Sequence, residues 1–204
     1  MESSNLVHSS KKEDRRVSRT KRNINFAFLQ LLKQKDISKI TIKELCNLAD
    51  INRKTFYTYF NSVDNVLSEI ENEMINEFQN RNLQLKAEKK TLTVQDIFFC
   101  IGDLMSSNAE FIHQLVQVDA LESLEKKVKQ TIKNAVAETI KLKHGDSKDI
   151  FNLSMEYAIS GAISMYIEWF STDSKIPLKM LSDLTFDLVK PNINFALNYF
   201  DKKD

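Results

Sequence analysis

The chain has 204 residues and a mass of 23.7 kDa, enough for one large or two small domains with a hydrophobic core. Only 3 Gly and 2 Pro are present, so helix breakers are scarce and an all-α fold is predicted. The net charge of +1 does not show that the charges are unevenly distributed along the chain. Residues 1–60 hold 13 Lys/Arg and 6 Asp/Glu, whereas residues 61–204 hold 16 Lys/Arg and 22 Asp/Glu. A basic N-terminal end of this kind is typical of a protein that meets a polyanion.

The N-terminal segment, residues 1–19, is polar, charged and without apolar periodicity, so we predict a flexible basic arm. Such an arm either follows the phosphates of a nucleic acid or is only a solvated tail, and the sequence leaves both interpretations open. A first helix is predicted from about Thr20 to Lys35. Its inner stripe is formed by Ile24, Ala27, Phe28, Leu31 and Leu32.

The stretch from Thr41 to Phe60 has the pattern of two short helices separated by a tight turn. Thr41 and Glu44 have the spacing of a capping box, which predicts a helix beginning at Thr41. Its apolar positions fall at the helical spacing on Ile42, Leu45, Cys46 and Ala49. Asp50 and Asn52 predict the turn, with Asn52 as the N-cap of a second helix.

The second short helix has an inner and an outer side. Phe56, Tyr59 and Phe60 are predicted to point inward, and Arg53, Lys54, Tyr57 and Thr58 outward. Two short helices with a cationic second helix are typical of a helix-turn-helix, in which the second helix reads DNA. With the first helix they form a three-helix domain, predicted over residues 20–66. An ordinary helical hairpin is the alternative.

Residues 20–67 resemble the N-terminal domain of the TetR family of bacterial transcription regulators. The resemblance rests on Ile24, Ala27, Leu67 and the motifs Thr41-Ile-Lys-Glu-Leu45, Ala49-Asp-Ile-Asn52 and Thr55-Phe-Tyr-x-Tyr-Phe60. Asp50 stands where the family usually has Gly, and Val63 where many members have a lysine that contacts a phosphate. The resemblance implies a DNA-binding transcriptional regulator, most often a repressor, that binds a palindromic operator in double-stranded DNA as a dimer.

Arg53 and Lys54 are the outward hydrogen-bond donors at the start of the second helix, so they are the candidates for guanine contacts in the major groove. Similarity to the family implies that further residues hold phosphates or a base edge, namely Thr41, Thr55, Tyr57 and Tyr59. The same similarity implies support from Lys43 and Asn52. Capping alone also explains Thr41, and core packing also explains Tyr59.

The remainder, residues 67–204, is predicted to form a helical ligand-binding and dimerisation domain, giving about nine helices in all. A long helix begins after Ser62 and extends to about Leu85, and further helices are predicted over 93–106, 108–115, 119–142, 149–170 and 177–200. Lys143 and Gly145 are predicted to end the fourth of these six helices. Pro191 is predicted to kink or break the last helix.

The helix over residues 149–170 is apolar on nearly every side, which predicts burial all round and hence a partner subunit. With the last helix it forms the expected homodimer interface. Its members are Ala158, Gly161, Ala162, Met165, Trp169, Leu181, Leu184 and Leu188. The run from Tyr157 to Trp169 resembles the C-terminal domain of a Firmicutes-type TetR subgroup.

Aromatic and apolar side chains of this domain are candidates for a pocket that takes a small apolar effector, although core packing explains the same residues. They are Phe98, Leu104, Met105, Phe111, Leu115, Met155, Tyr166 and Phe170. The alternatives are an activator, or a regulator controlled by a partner protein or a metal. No pattern of an enzyme or a metal site stands out, so we expect neither catalysis nor a cofactor. Because no apolar run is long enough to span a membrane and no signal sequence is visible, we expect a soluble, cytoplasmic protein.

Overall fold

The computed structural model describes residues 3–89, 92–139, 148–172 and 174–201, and all regular structure within these ranges is helical. The predicted all-α fold is therefore confirmed. The chain divides into two compact units, Met1–Glu71 and Asn72–Asp204. The helices are α1 (Ser3–Leu32), α2 (Ile42–Leu48), α3 (Arg53–Tyr59), α4 (Val63–Glu88), α5 (Val94–Ser107), α6 (Ala109–Gln117), α7 (Glu122–Thr139), α8 (Lys148–Ser171) and α9 (Leu178–Asp201), with a 3-10 turn at Ile37–Lys39.

The first unit is a small three-helix core to which the start of α4 adds. The stripe predicted on α1 is buried, since Ile24, Ala27 and Phe28 have no exposed surface. Leu45 from α2 and Phe56 from α3 are likewise fully buried. From α4, Val66 enters this core, whereas Val63 and Leu67 are only partly buried. Helix α4 therefore joins this core through Val66.

Helix α1 begins at Ser3 and not near Thr20, and it ends at Leu32. The predicted start was wrong because it relied on apolar periodicity alone. Lys, Arg and Glu have high helix propensity, so a helix anchored by a buried stripe can extend into a charged segment that lacks apolar periodicity. Segment 11–22 contains seven Lys or Arg, so it is rich in residues with high helix propensity.

The start of α2 is held by the predicted capping box. The Thr41 hydroxyl accepts the N–H of Glu44 at 3.3 Å, and the backbone N–H of Thr41 donates to Glu44 Oε2 at 3.0 Å. Lys35, which follows α1, donates to Glu44 Oε1 at 2.5 Å. The hydrogen bond from Lys35, with those from Thr41, lowers the pKa of Glu44 to about 2. The carboxylate is therefore ionised throughout the neutral and mildly acidic range.

The turn between α2 and α3 depends on a left-handed residue. Asp50 has φ of 53°, and the N–H of Ile51 donates to the Cys46 carbonyl at 3.0 Å. With the bond from Asp50 N–H to the Asn47 carbonyl at 3.4 Å, this is a Schellman motif. Asn52 then caps α3 by accepting the N–H of Thr55 at 2.8 Å, as predicted.

Replacing Asp50 with Gly is expected to stabilise the protein by about 1 kcal/mol, because Gly adopts the left-handed region without the Cβ clash. A gain of that size raises the melting temperature by about 2 to 4 °C in a protein of this length. Asp50→Ala is the matched control, since it removes the carboxylate but keeps Cβ. Thermal unfolding in which Asp50→Gly melts no higher than the wild type would contradict this account of the turn.

The second unit packs α8 against α9, α7 and α6, and α5 against α9 and α7. Within the single chain, Phe151, Met155 and Ile159 of α8 face the core, while Leu153 and Tyr157 are 72% and 73% exposed. Burial of α8 on all sides would need a partner subunit, so it stays a prediction. Periodicity could not resolve the two faces, because both are apolar.

Two further predictions concern helix ends in the second unit. Helix α9 is continuous from Leu178 to Asp201 with Pro191 inside it, so the helix is not broken there, and a kink at Pro191 stays a prediction. The helix predicted from residue 119 begins instead at Glu122, and Asp119 has φ of 52° after the end of α6. Lys143 and Gly145 lie outside the described residues. Cys46 in the first unit and Cys100 in the second are free and buried, and burial raises the pKa of both thiols.

Candidate nucleic-acid interface and ligand cavity

The outer face of α3 carries the side chains predicted to read DNA. Arg53 and Lys54 are exposed, and Tyr57 is 55% exposed with its ring edge against Phe56 at 5.7 Å between centroids. Phe56 is fully buried, so it fixes the direction in which the outer side chains project. The result is a short helix with two cations and a phenol on one solvent-facing side.

The other residues predicted at this interface are placed on the same short elements. Lys43 and Asn52 are exposed, and Thr55 and Tyr59 are partly buried. Thr41 is exposed, but its hydroxyl donates to Glu44 Oε2 at 2.7 Å while accepting the N–H of Glu44. The hydroxyl proton of Thr41 is therefore used in the cap of α2. This capping role explains a Thr at this position without any contact to a nucleic acid.

Among the described side chains of α1, the cations differ in their contacts. Lys21 donates to Glu69 Oε1 of α4 at 2.5 Å and its Nζ lies 5.9 Å from the centre of the Phe60 ring. Its charge is thus used within the first unit. Arg16, Arg19 and Arg22 are exposed on α1 and add to the positive potential of this unit.

The second unit contains a partly open cavity of about 50 Å³ among α5, α6, α7, α8 and α9. Of the residues predicted to line a pocket, Phe98, Met105, Tyr166 and Phe170 do line it. The other four are buried but do not line it, namely Leu104, Phe111, Leu115 and Met155. Sequence reasoning missed most of the aliphatic wall, since α7 contributes Leu124, Val128 and Ile132. Their spacing signals a buried face, but it does not say whether that face meets a core or a cavity.

A buried polar contact lies beside this cavity. The hydroxyls of Tyr166 and Ser182 are 2.8 Å apart and hydrogen-bonded. Burial raises the pKa of Tyr166, and hydrogen bonds with Ser182 and Thr185 act in the opposite direction. Gly102 of α5 makes room for this contact, because a Cβ there would lie 1.9 Å from Ser182 Oγ. A side chain at this position would therefore displace the Ser182 hydroxyl from its bond with Tyr166.

The residues predicted at a dimer interface separate into two groups. Ala158, Ala162 and Leu181 are buried within the chain itself. Gly161, Leu184 and Leu188 are exposed, and Met165 is partly buried. Trp169 is also partly buried, and its Nε1–H donates to the Ile176 carbonyl at 2.8 Å.

Four exposed apolar side chains of α8 and α9 were not predicted. They are Leu153 and Tyr157 of α8, with Met180 and Phe195 of α9, each at least 59% exposed. The i, i+4 spacing of Leu153, Tyr157, Gly161 and Met165, and of Met180, Leu184 and Leu188, could have identified them. We call these seven residues together with Phe195 the α8–α9 face.

Residues 92–191 match a family model described as the transcriptional regulator C-terminal region of TetR proteins. The N-terminal unit has the capped helix-turn-helix expected of the same proteins. The chain belongs to the TetR family of transcriptional regulators. This confirms the family resemblance found in the sequence. No curated protein matches the chain.

Several solved structures share the fold along most of this chain. A TetR transcriptional regulator from Streptococcus agalactiae 2603V is 20% identical, with a TM-score of 0.62 over 92% of this chain and 98% of that one. The dihydroxyacetone kinase operon activator DhaS is 17% identical, with a TM-score of 0.62 over 86% and 97%. A tetR-family regulator from Streptomyces coelicolor is 16% identical, with a TM-score of 0.59 over 90% and 85%. Among the described residues, no helix of this TetR protein is long and apolar enough to cross a membrane.

Proposed function

We propose that this TetR-family protein is a sequence-specific DNA-binding regulator, most simply a repressor, that binds a palindromic operator as a homodimer and is released by a small molecule. The observation that carries the proposal is the outer face of α3. Arg53, Lys54 and Tyr57 are exposed there on a helix whose start is capped and whose inner side is fixed by Phe56.

A major groove accepts one α-helix, and guanine presents O6 and N7 there as paired acceptors. Arg53 is suited to a bidentate bond with both, and Lys54 to a single bond or a phosphate. Tyr57, Thr55 and Lys43 lie on the flanks of this helix pair, where phosphates run. The exposed arginines of α1 strengthen attraction to the duplex without reading its sequence.

The homodimer is supported by the α8–α9 face. Monomeric proteins rarely expose a contiguous apolar surface built from two neighbouring helices, and such surfaces mark interfaces. A two-fold axis through this face would bring α8 and α9 of both subunits into a four-helix arrangement. Two copies of α3 related by that axis require two inverted half-sites, separated by about 34 to 36 Å or a multiple of it.

Release by a ligand is proposed as a shift in population between helix arrangements of the second unit. A ligand that prefers the arrangement unsuited to the operator lowers DNA affinity by its differential affinity for the two arrangements and no more. The cavity among α5 to α9 supports this step because its wall is almost wholly apolar.

An activator, or a regulator controlled by a partner protein, is the second candidate. The observation that favours it is the fold shared with a protein described as an operon activator, at a TM-score of 0.62. The size of the cavity points the same way, since about 50 Å³ is far less than the roughly 300 Å³ of ordinary ligand pockets.

The proposed function is tested by selecting genomic fragments that the purified protein binds and by footprinting the selected site. We expect a near-palindrome protected over both half-sites. With about four phosphate contacts per subunit, log K should fall with log salt at a slope of about −7. Protection of only one half-site, or affinity that does not change with salt, would contradict a symmetric DNA-binding dimer.

A further inference from the structure

We propose that Lys21 and Glu69 form a positioning pair for DNA binding: their contact sets the orientation of α3 on the first unit, and neither side chain touches the duplex. The inference rests on the proposed function and names two residues that act on DNA only through α3. It is carried by the position of the Lys21 ammonium group, which lies between α4 and the end of α3.

The Lys21 ammonium group contacts two elements besides its own helix, α1. It donates to Glu69 Oε1 of α4 at 2.5 Å. The same Nζ lies 5.9 Å from the centre of the Phe60 ring, within the range of a cation–π contact. Phe60 is the residue at which α3 ends, and its N–H donates to the Phe56 carbonyl at 2.9 Å. One charged group therefore links α1, α4 and the end of α3.

Two buried rings connect this contact to the outer face of α3. Phe56 and Phe60 are both buried, and their ring centroids lie 5.8 Å apart. Phe56 also meets the ring of Tyr57, which belongs to the outer face, with 5.7 Å between centroids. Because buried side chains are closely packed, a shift of Phe60 would move Phe56 and with it the outer side of α3.

Apolar packing alone restrains α4 less than the ion pair does. Val66 and Ile70 are the buried apolar side chains that α4 adds to the first unit, and their i, i+4 spacing places them on one line along the helix. A single line of contacts fixes the distance of a helix from its neighbours better than it fixes rotation about that line. Glu69 lies on the flank of the line, one residue before Ile70, so a bond from Lys21 resists this rotation.

The exposure of the pair separates a role in orientation from a role in overall stability. The Lys21 and Glu69 side chains are 32% and 33% exposed, so water and salt screen their attraction. Ion pairs of this kind add little to the free energy of unfolding. Substitutions here are therefore expected to leave the protein folded, which allows DNA binding to be compared directly.

The test compares operator binding of Lys21→Gln and Glu69→Gln in the full-length protein. Long-range electrostatics predicts opposite effects, because one change removes a positive charge near a polyanion and the other removes a negative charge. Positioning predicts that both changes weaken binding by about three- to tenfold, since both remove the same ion pair. The slope of log K against log salt should be unchanged in both variants, because no phosphate contact is lost.

The matched control is Arg22→Gln, which removes a positive charge from the neighbouring exposed position of α1. The conservative change Lys21→Arg keeps the charge and the ability to contact both Glu69 and Phe60, so it should retain most of the affinity. The doubly exchanged variant, Lys21→Glu with Glu69→Lys, restores an ion pair at unchanged net charge. It should bind the operator more tightly than either single charge reversal.

Hydrogen exchange of the DNA-free protein tests the same pair without the duplex. The amide of Phe60 should exchange faster in Lys21→Gln and in Glu69→Gln than in the wild type, and Arg22→Gln should leave it unchanged. Tighter operator binding by Glu69→Gln, a smaller salt slope for Lys21→Gln, or unchanged exchange in both Gln variants would overturn the positioning pair. A wild-type protein that binds no duplex would instead overturn the proposed function, whatever the exchange rates are.

Discussion

Arg53→Ala is expected to weaken operator binding by about 1 to 3 kcal/mol and to relax the base preference at one position of each half-site. The reason is the loss of a bidentate donor from the exposed start of α3. Arg53 has no role in the core that would account for it otherwise, since its side chain is exposed. The measurement is a gel shift or anisotropy titration with the selected operator and with operators changed at single positions.

Lys126→Ala is the matched control for Arg53→Ala. It removes one positive charge from an exposed position of α7 in the other unit, so it reports the effect of net charge alone.

Lys54→Ala distinguishes a contact of Lys54 with a base from a contact with a phosphate. A phosphate contact predicts uniform weakening on all sequences and a salt slope smaller by about 1. Unchanged operator affinity in the Arg53→Ala variant would contradict the assignment of α3 as the helix that contacts the bases.

Leu184→Arg is expected to convert the proposed dimer into a monomer and to reduce operator affinity by about 10²- to 10⁴-fold, because the two half-sites would no longer be bound together. Leu184 lies in the α8–α9 face and is 41% exposed in the chain, so the substitution should leave the fold of the monomer intact. In the dimer the arginine would be buried against apolar side chains without a partner. Sedimentation or light scattering gives the oligomeric state, and the same sample gives operator affinity.

Leu83→Arg serves as the control for Leu184→Arg. Leu83 is 61% exposed on α4, so the same change is made at an exposed leucine outside the α8–α9 face. The control should remain a dimer with unchanged affinity. A wild-type protein that is monomeric, or a Leu184→Arg variant that remains dimeric, would show that the face has another purpose.

Local features of the first unit were predictable because they depend on neighbours in the sequence. The capping box of Thr41 and Glu44, the left-handed turn at Asp50 and the cap at Asn52 each involve residues within five positions of one another. Caps and turns of this kind depend on residues that are close in the sequence, so tertiary packing does not change them. The start of α1 was not predictable in this way, because a polar segment with high helix propensity has no boundary signal.

The second unit was harder because its key features depend on which side of a helix meets which neighbour. Ala158 and Tyr157 are adjacent on α8, yet one is buried and the other is 73% exposed. Leu104 and Met105 are adjacent on α5 and both buried, yet only Met105 lines the cavity. Apolar residue type is the same in each pair, so only tertiary packing decides between core, cavity and exposed face.

The two buried cysteines give each unit its own chemical reporter. Cys46 and Cys100 are enclosed and have raised pKa values, so an alkylating reagent reaches each thiol only when its surroundings open. The rate at which each is alkylated therefore measures transient opening of one unit separately from the other. A compound that tightens the helices of the C-terminal unit would protect Cys100 alone, and a duplex that holds the N-terminal unit would protect Cys46.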